Sequence, residues 1–452
     1  MNHEQNKQMA RRIAEQVAKL GGSAYYVGGY VRDLLLGKEN KDIDVEIHGV
    51  TPAALEAILD GLGTRLSMGE SFGIYGLKGY DLDIAMPRKE TLRGTGHRDF
   101  DIFVDPFAGT EKAAIRRDFT VNALMQNVLT GEIVDHFGGK EDLKNGVIRH
   151  VSDATFAEDA LRVLRAAQFS ARFGFAVAPE TTALCRTMTL SHLARERIEG
   201  EMKKALLKSD RPSIFFERLR EMGQLHEWFP ELKALIGVPQ PPLYHAEGDA
   251  WTHTMMVLDE GARLRGRAEN PYAFMLSCMA HDLGKALCTK EIDGVYHAYN
   301  HEKIGLPAVK RLLTRLTSER KVIAYVMNMT EYHMKPNVAA RQNSSVKSTN
   351  KMFDASPDPE GLIAIALADD RGRIAGVPKP STEDFLSERL KIFRETMARP
   401  FVTGKDLIAA GITPGTHFSE ILDYAHKLRL AGVEKENALK QTVAFAKKRM
   451  KE

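Results

Sequence analysis

The sequence predicts an α+β head built on a mixed sheet, followed by helices to the end of the chain. Three observations predict it. Short apolar or alternating runs interleave with helical patches over residues 1–150, helical periodicity takes over from Asp153, and proline- or glycine-bearing breaks at 238–242 and 376–381 divide the remainder. At 452 residues the chain exceeds one core, and a prior of ~150 residues per domain leads to an expectation of about three compact units.

In chain order, 25–27 is a short apolar run that ends in Gly28-Gly29. Residues 42–47 alternate with period two, 82–86 reads as a further strand, and Ile133-Val134 before Asp135 as another. The charged, glycine-punctuated stretch 88–107 is expected to be a mobile loop rather than a packed element. Residues 154–175, ATFAEDALRVLRAAQFSARFGF, form a strongly amphipathic helical segment. Residues 342–348 read as a polar loop. The expected division is a head over 1–150, an all-α neck and body over 151–240, an all-α domain over 245–375 and a helical tail over 382–452.

Composition limits the class. Apolar content of 43% and charged content of 27% are those of an ordinary globular protein, and a formal net charge of +3 supplies no global field for a polyanion. Any nucleic acid must therefore meet local basic surfaces. Cys185, Cys278 and Cys288 are scattered and odd in number, which points to a reducing compartment and away from a disulfide scaffold. The polar, helix-periodic N-terminal stretch does not read as a signal peptide, and no apolar run reaches the ~18 residues of a membrane span. The expected location is cytoplasmic, with no membrane partner.

The segment YVGGYVRDLLLGKENKDIDVEI carries the first chemistry. In a strand, Asp42 and Asp44 project to one face, and two carboxylates on one face suit Mg²⁺ ions that bridge phosphates and an attacking hydroxyl. Gly28 and Gly29 let a turn approach a triphosphate without a Cβ in the way, and Arg32 suits phosphate oxygens. Asp83 in YDLDIAMPR would complete such a carboxylate set, with Asp81 as the alternative on the same strand face. Arg117, Asp118 and Asn122 in RRDFTVNA either start a charged helix or add triphosphate contacts.

Asp159 and Arg162 are three residues apart and would share a helical face, with Arg165 one step further on. An intrahelical ion pair is the ordinary reading. The chemical alternative is base selection. Cytosine and adenine present an amino donor beside a ring-nitrogen acceptor, whereas guanine and uracil present a carbonyl beside an N–H. A carboxylate only accepts and a guanidinium only donates, so an Asp–Arg pair matches C and A and mismatches G and U.

Taken together and in order, GGYVRD, KDIDVEI, RRDFTVNAL, EDALRVLR and ARERIEGE resemble the class II tRNA nucleotidyltransferases, the CCA-adding enzymes, and the bacterial poly(A) polymerases, over roughly residues 20–240. The resemblance implies a nucleotidyltransferase head. In it Gly29, Arg32 and Arg117 would contact the nucleotide, Asp42 and Asp44 would bind metal, and Asp159 and Arg162 would read the base with help from Arg165. Gln168 stands where such proteins often have Arg. The stretch 88–107 would correspond to a flexible loop used in switching to A addition. The tail FVTGKDLIAAGITPGTHFSEIL is similar to a segment that holds the tRNA body.

WTHTMMVL and CMAHDLGK carry the second chemistry. His281-Asp282 offers an imidazole and a carboxylate able to bridge two ions, and His253, His301, His333 and Asp369 are further ligand candidates, with His297 and Asp370 as competing neighbours. A lone histidine on an apolar helix is more often a core residue, but the ordered set resembles the HD phosphohydrolase superfamily. The resemblance implies a divalent metal site with phosphatase or 2′,3′-cyclic phosphodiesterase activity. The function expected overall is CCA addition to tRNA from CTP and ATP. The alternatives are a poly(A) polymerase, an A-only or CC-only enzyme, and an RNA-binding head joined to a single hydrolase.

Overall fold

The computed structural model describes residues 3–40, 42–69, 73–92, 100–374 and 381–450. The chain divides into two compact units, one of residues 1–205 with 214–227 and the other of 206–213 with 228–452.

The first unit is organised by a seven-stranded sheet. Its strands are β1 Ser23–Val27, β2 Ile43–His48, β3 Arg65–Gly69, β4 Ile74–Leu77, β5 Leu82–Ala85, β8 Met125–Asn127 and β9 Ile133–Val134, in the order β3-β4-β5-β2-β1-β8-β9. β1 pairs antiparallel with β2 and β8, while β2 and β5 run parallel, so the sheet is mixed. The parallel pair requires a crossover, which the helix Pro52–Leu62 and the β3–β4 hairpin supply. That helix starts where Thr51 accepts a hydrogen bond from the Ala54 N–H, with Pro52 in its first turn. The helix His3–Lys19 buries Met9, Ala10, Ile13, Ala14 and Val17, a stripe at helical spacing that packs against β1 and β2.

The expected strands at 25–27, 42–47, 82–86 and 133–134 are all present. The stretch 88–107 differs from expectation. β6 Arg88–Leu92 pairs antiparallel with β7 Phe100–Val104, a ladder of five residue pairs. Backbone hydrogen bonds hold such a ladder without apolar alternation, so a charged sequence does not reveal it. The loop's middle, 93–99, lies outside the described residues, as does most of the 376–381 break.

The remainder is largely helical, with two short ladders that helical periodicity passes over: β10 Val147–Ile148 with β11 Ala176–Val177, and β12 Lys290–Ile292 with β13 Val295–His297. In the second unit the helices Ala250–Leu264, Pro271–Ala280, Arg320–Tyr332 and Pro359–Arg371 pack on one another. Pro271–Ala280 buries every residue from Tyr272 to Ala280, as a helix apolar all round must. Asp249, Asn270 and Asp358 cap three of these helices through their side chains. In the tail, the helices Phe418–Leu430 and Lys435–Arg449 meet through the stacked rings of Tyr424 and Phe445. Among the described residues no helix is long and apolar enough to cross a membrane.

Candidate functional site

Two regions bring chemistry together, one in each unit. In the first, β2 and β5 run in a register that places Asp44 directly opposite Asp83. Both carboxylates line a cavity of ≈1180 Å³. Burial pushes the Asp44 carboxyl above its usual value; Arg117 pulls it down, and the charges of Asp83 and Asp42 push it further up. Asp42 itself is exposed and precedes β2, its N–H bound by Asn40, so it flanks the pleat instead of sharing it. Asp81 likewise lies ahead of β5, its N–H bound by Asn6, and is not among the residues lining the cavity.

Glu46 follows Asp44 by one strand period and accepts from Arg117 at 3.3 Å and from His48 at 2.9 Å. Glu46 falls inside the KDIDVEI motif, and its period-two spacing was the signal that could have marked it. Gly28 has φ +66, and a Cβ there would stand 3.3 Å from Arg117 Nη1 and 3.7 Å from Asp44 Oδ2. Glycine therefore permits the left-handed turn and keeps a Cβ from crowding the Arg117 guanidinium.

Arg32, Asp118, Asn122 and Arg165 come together, but as a buried network and not on the cavity wall. Arg32 donates to Asp33 and to Asn122 Oδ1 at 2.6 Å, and its guanidinium lies over the rings of Phe169 and Phe173. Asn122 donates to Asp118 at 2.9 Å, and Arg165 donates to Asp118 at 2.7 Å. Burial alone would raise the Asp118 carboxyl; Arg165, Asn122 and the Phe119 N–H together hold it below its usual value. The network ties the sheet side to the helix Leu161–Phe173, and Gly29 begins the helix Gly29–Leu35 that carries Arg32. Gln168 is buried in that same helix, and its Nε2 has no hydrogen-bond partner.

Asp159 and Arg162 line the cavity together without forming the intrahelical pair. Asp159 sits in the turn before the helix Leu161–Phe173 and accepts from the Leu161 N–H at 3.0 Å, while its other oxygen accepts from Arg197 at 2.9 Å. Arg162 donates to the backbone carbonyls of Thr155 and Arg116. Two carbonyls thus fix the guanidinium, and Arg197, from the ARERIEGE motif, fixes the carboxylate. Arg197 is a cavity residue to which the sequence reading assigned no role.

The second region is a buried cluster in the other unit. His253, His281 and Asp369 bring ligand atoms within 4.8 Å of one another, and so do Asp282, His301 and His333. His281 Nδ1 faces the Cys278 carbonyl at 2.8 Å, His301 Nδ1 that of Ala298 at 2.9 Å, and His333 Nδ1 that of Thr330 at 2.7 Å. A carbonyl only accepts, so each Nδ1 carries a proton and each ring turns its Nε2 inward. His301 Nε2 lies 3.0 Å from Asp282 Oδ1 and 3.4 Å from His333 Nε2. Burial, with His281 and His301 beside it, pushes His333 down to about 3, keeping it in the neutral, ligating form. Burial would raise Asp282, but His281 and Lys285 hold it well below the usual carboxylate range. Imidazole Nε2 atoms and ionised carboxylates converging in this way fit a divalent cation.

Local sequence explains how the cluster closes. The buried helix Pro271–Ala280 delivers His281-Asp282 into the interior. A Cβ on Gly284 would stand 2.0 Å from the His301 carbonyl oxygen, so glycine there lets the His301 backbone come close enough for its ring to reach Asp282. His253 Nδ1 lies 3.1 Å from the Gly372 carbonyl and 3.2 Å from Glu247 Oε1. Glu247 also pairs with His245 at 2.7 Å and accepts from the Ile374 N–H. Burial would raise Glu247, yet these partners hold it far below its usual value. Glu247, His245, Lys285 and Arg373 are site neighbours that the sequence reading missed; HAEGD lies in a loop with no periodicity to mark it. Asp370 pairs with Arg341, and neither it nor His297 belongs to the ligand groups found among the described residues.

Residues 24–149 match the Poly A polymerase head domain, and 174–236 match the probable RNA and SrmB-binding site of polymerase A. Among solved structures, the Thermotoga maritima CCA-adding enzyme complexed with tRNA shares the fold at TM-score 0.65 and 20% identity, over 97% of this chain and 94% of that one. The Bacillus stearothermophilus CCA-adding enzyme in complex with CTP does so at 0.64 and 23%, over 99% of each chain. The multifunctional CCA protein of Nitrosococcus oceani is 37% identical over 86% of this chain and 93% of its own length. That of Actinobacillus pleuropneumoniae is 40% identical over 77% of this chain and 85% of its own, and with such extended identity this chain belongs to the multifunctional CCA protein family.

Proposed function

We infer that this chain adds C, C and A to tRNA 3′ ends from CTP and ATP without a nucleic-acid template, and that its second unit hydrolyses phosphate esters. The observation that carries the first activity is the Asp44–Asp83 register, which places two facing carboxylates in the cavity that also holds Arg117, Asp159 and Arg162. The 3′ hydroxyl attacks the α-phosphorus of the nucleotide, a phosphodiester bond forms, and the bond to the bridging oxygen breaks to release pyrophosphate. Asp42, Asp44 and Asp83 would hold Mg²⁺, which when bound neutralises charge on the phosphates. Burial, with the neighbouring charges of Asp83 and Asp42 adding to it, raises the Asp44 carboxyl, and a cation would relieve both. Arg117 sits beside them to meet triphosphate oxygens, and Gly28 and Gly29 keep the approach open.

Base choice rests on Asp159 and Arg162. Asp159 accepts from the exocyclic amine of C or A, and Arg162 donates to the ring nitrogen. Each is held by partners that leave hydrogen-bonding capacity over: a carboxylate oxygen has a second lone pair, and a guanidinium has five N–H donors. The network of Arg32, Asp118, Asn122 and Arg165 sets the nucleotide pocket by locking the helix Leu161–Phe173 to the sheet side. Within the first unit we assign the head to about residue 150 and the neck and body beyond it. Within the second, 245–375 is the HD domain, and the tail from 382 contacts tRNA.

His253, His281, Asp282, His301, His333 and Asp369 would hold divalent metal, which when bound polarises a phosphoryl group and lowers the pKa of water. Lys285 and Arg373 keep the carboxylates ionised and add positive charge to the cavity beside them. A phosphatase or 2′,3′-cyclic phosphodiesterase acting on RNA ends fits this arrangement. The test of the leading activity is direct: tRNA lacking one, two or three terminal nucleotides is incubated with each NTP and the products are sequenced. Completion to CCA and no further supports the reading; long A tracts, or a stop after CC or before it, overturn it.

A further inference from the structure

The proline-bearing break at 238–242 does more than separate domains. Pro239 forms an isolated β-bridge with Asp249, the residue that caps the helix Ala250–Leu264, and that helix carries His253. Gln240 stands between Pro239 and Pro241. Fixed φ values on both sides, and the extended backbone that a following proline imposes, leave it little freedom. Gln240 is 5% exposed, and it lines a cavity of ≈680 Å³ together with Asp282, Lys285, His301, Asp369 and Arg373. The break thus holds one side chain rigidly beside the His/Asp cluster.

Lys285 decides which way that side chain faces. Its Nζ lies 2.6 Å from Gln240 Oε1 and 2.7 Å from Asp282 Oδ2. An ammonium only donates, so the oxygen of the amide is the atom that meets it. Nε2 is turned away from Lys285, and it is buried with no hydrogen-bond partner. Lys285 and Arg373 have carboxylates in Asp282 and Asp369, whereas this donor has no acceptor. A buried donor without an acceptor is costly, and a ligand that brings one recovers the loss. Two hydrogen bonds end to end put Oε1 within about 5.5 Å of Asp282, so the amide lies within one phosphoryl group's reach of the cluster. We propose that Gln240 is an oxyanion-binding residue of the second unit. Its Nε2–H donates to a non-bridging oxygen of a phosphate held at the His/Asp cluster, and Lys285 is the positioning residue that points the amide. The ligand is a tetrahedral phosphate, free or esterified. The inference rests on the hydrolytic reading of the second unit and adds to it a neutral, directed grip on the phosphate.

Calorimetric titration of inorganic phosphate into the full chain, loaded with each divalent metal that dialysis shows it to bind, reads the contact without turnover. Binding that survives in His281→Ala with Asp282→Ala is subtracted as belonging elsewhere. Gln240→Ala should weaken phosphate roughly 10- to 150-fold, the range of a hydrogen bond to a charged group, and leave metal affinity unchanged. Gln240→Glu is the sharper variant, because it keeps the shape and an oxygen for Lys285 but replaces the donor by an acceptor. It should bind phosphate less well than Gln240→Ala. Fluoride, a one-atom anion that meets the metal and cannot span to the amide, controls for the added charge and should be weakened less than phosphate. Unchanged phosphate affinity in Gln240→Ala, or wild-type affinity in Gln240→Glu, would overturn the proposal and leave Gln240 as the partner of Lys285. So would a wild type that binds no phosphate at the cluster, or phosphate and metal affinities that fall together. Adenosine 2′-monophosphate forms the ester arm, and its KM in Gln240→Ala should rise by a similar factor. A rise for the ester alone would move the contact to the ribose and also overturn it, whereas a loss confined to inorganic phosphate keeps the residue and names the free anion as its ligand. Phosphate binding that depends on Gln240, without turnover of any ester, sinks the hydrolytic reading alone; turnover without that dependence sinks this inference alone.

Discussion

The carboxylates of the first unit and the histidines of the second are held by different means. Asp44 and Asp83 owe their direction to the pleat: two parallel strands in register set them side by side and leave them facing a wide cavity. The histidines owe theirs to hydrogen bonds, since His281, His301 and His333 are each tied through Nδ1 to a backbone carbonyl three residues back. A pleat fixes a direction but leaves a side chain open to a large substrate. A buried imidazole tied on one nitrogen fixes both direction and tautomer, at the cost of room. The first arrangement suits a nucleotide and an RNA end that must come and go, and the second suits a resident ion.

The sharpest break of that comparison is a pair of reciprocal substitutions. Asp44→Ala should lower CCA addition at least ~10³-fold while leaving tRNA binding and phosphohydrolase activity near wild type, because phosphate contacts elsewhere carry RNA affinity. His281→Ala with Asp282→Ala should do the reverse. Both activities are assayed on the same preparations, and loss of both from either variant would mean that the two sites are not independent.

The next largest effect concerns what holds the first site in place. Asp118 is buried and paired with Arg165, so Arg165→Ala leaves an uncompensated carboxylate and should destabilise the first unit by about 3 kcal/mol. Burial opposes ionisation of Asp118 but Arg165 and Asn122 win, and its folded pKa is depressed. The stability it contributes is therefore complete above pH ~4 and is lost as pH falls through the folded value, so wild type and variant should converge in acid. Both tryptophans, Trp228 and Trp251, belong to the second unit, so fluorescence reports that unit, and amide exchange over 161–173 is the measurement for the first. Equal exchange in wild type and variant at neutral pH would show that the network carries no stability.

Which parts of this were legible in the sequence follows the same physical division. Asp44, Asp83, His281 and Asp282 stand in local patterns, period two in a strand or an apolar run ending in His-Asp, and local patterns survive in one dimension. What the pattern could not convey is partnership across the chain. Asp159 and Arg162 suggested each other by spacing, whereas Asp159 bonds to Arg197 and Arg162 to two carbonyls. Arg32 looked like a phosphate ligand and is enclosed by Asp33, Asn122 and two phenylalanines. The 88–92 and 100–104 ladder is made by backbone groups that every sequence has. Glu247 lies in an aperiodic loop and acquires its role only when folding brings His253 to it.

Base selection gives the third test, of intermediate size. Asp159→Ala removes the acceptor that matches C and A, and a mismatched charged hydrogen bond costs on the order of 1–3 kcal/mol, so discrimination against UTP and GTP should fall roughly 5- to 150-fold. Arg162→Ala should lower CTP and ATP incorporation together without favouring either. The ratios of kcat/KM for the four nucleotides on a tRNA ending at the discriminator base decide the matter. Unchanged ratios in folded protein would reduce Asp159 to the partner of Arg197.

The smallest effect probes the one histidine of the cluster that differs from its neighbours. His253 Nδ1 has, besides the Gly372 carbonyl, a carboxylate within reach in Glu247, and a carboxylate raises the basicity of the far ring nitrogen more than a carbonyl does. Glu247→Gln keeps the shape and retains one accepting oxygen but removes the charge. Support of this kind is worth 10- to 100-fold in metal affinity when lost outright, so the amide, which loses only part of it, should weaken binding by about tenfold. Equilibrium dialysis of the full chain against each divalent metal measures this without reference to turnover. CCA addition serves as the internal control and should not change. If Glu247→Gln binds metal as tightly as wild type while Glu247→Ala unfolds the loop, Glu247 serves only to tie 245–247 to the Ile374 N–H. All the histidines of the cluster would then be oriented by backbone carbonyls alone.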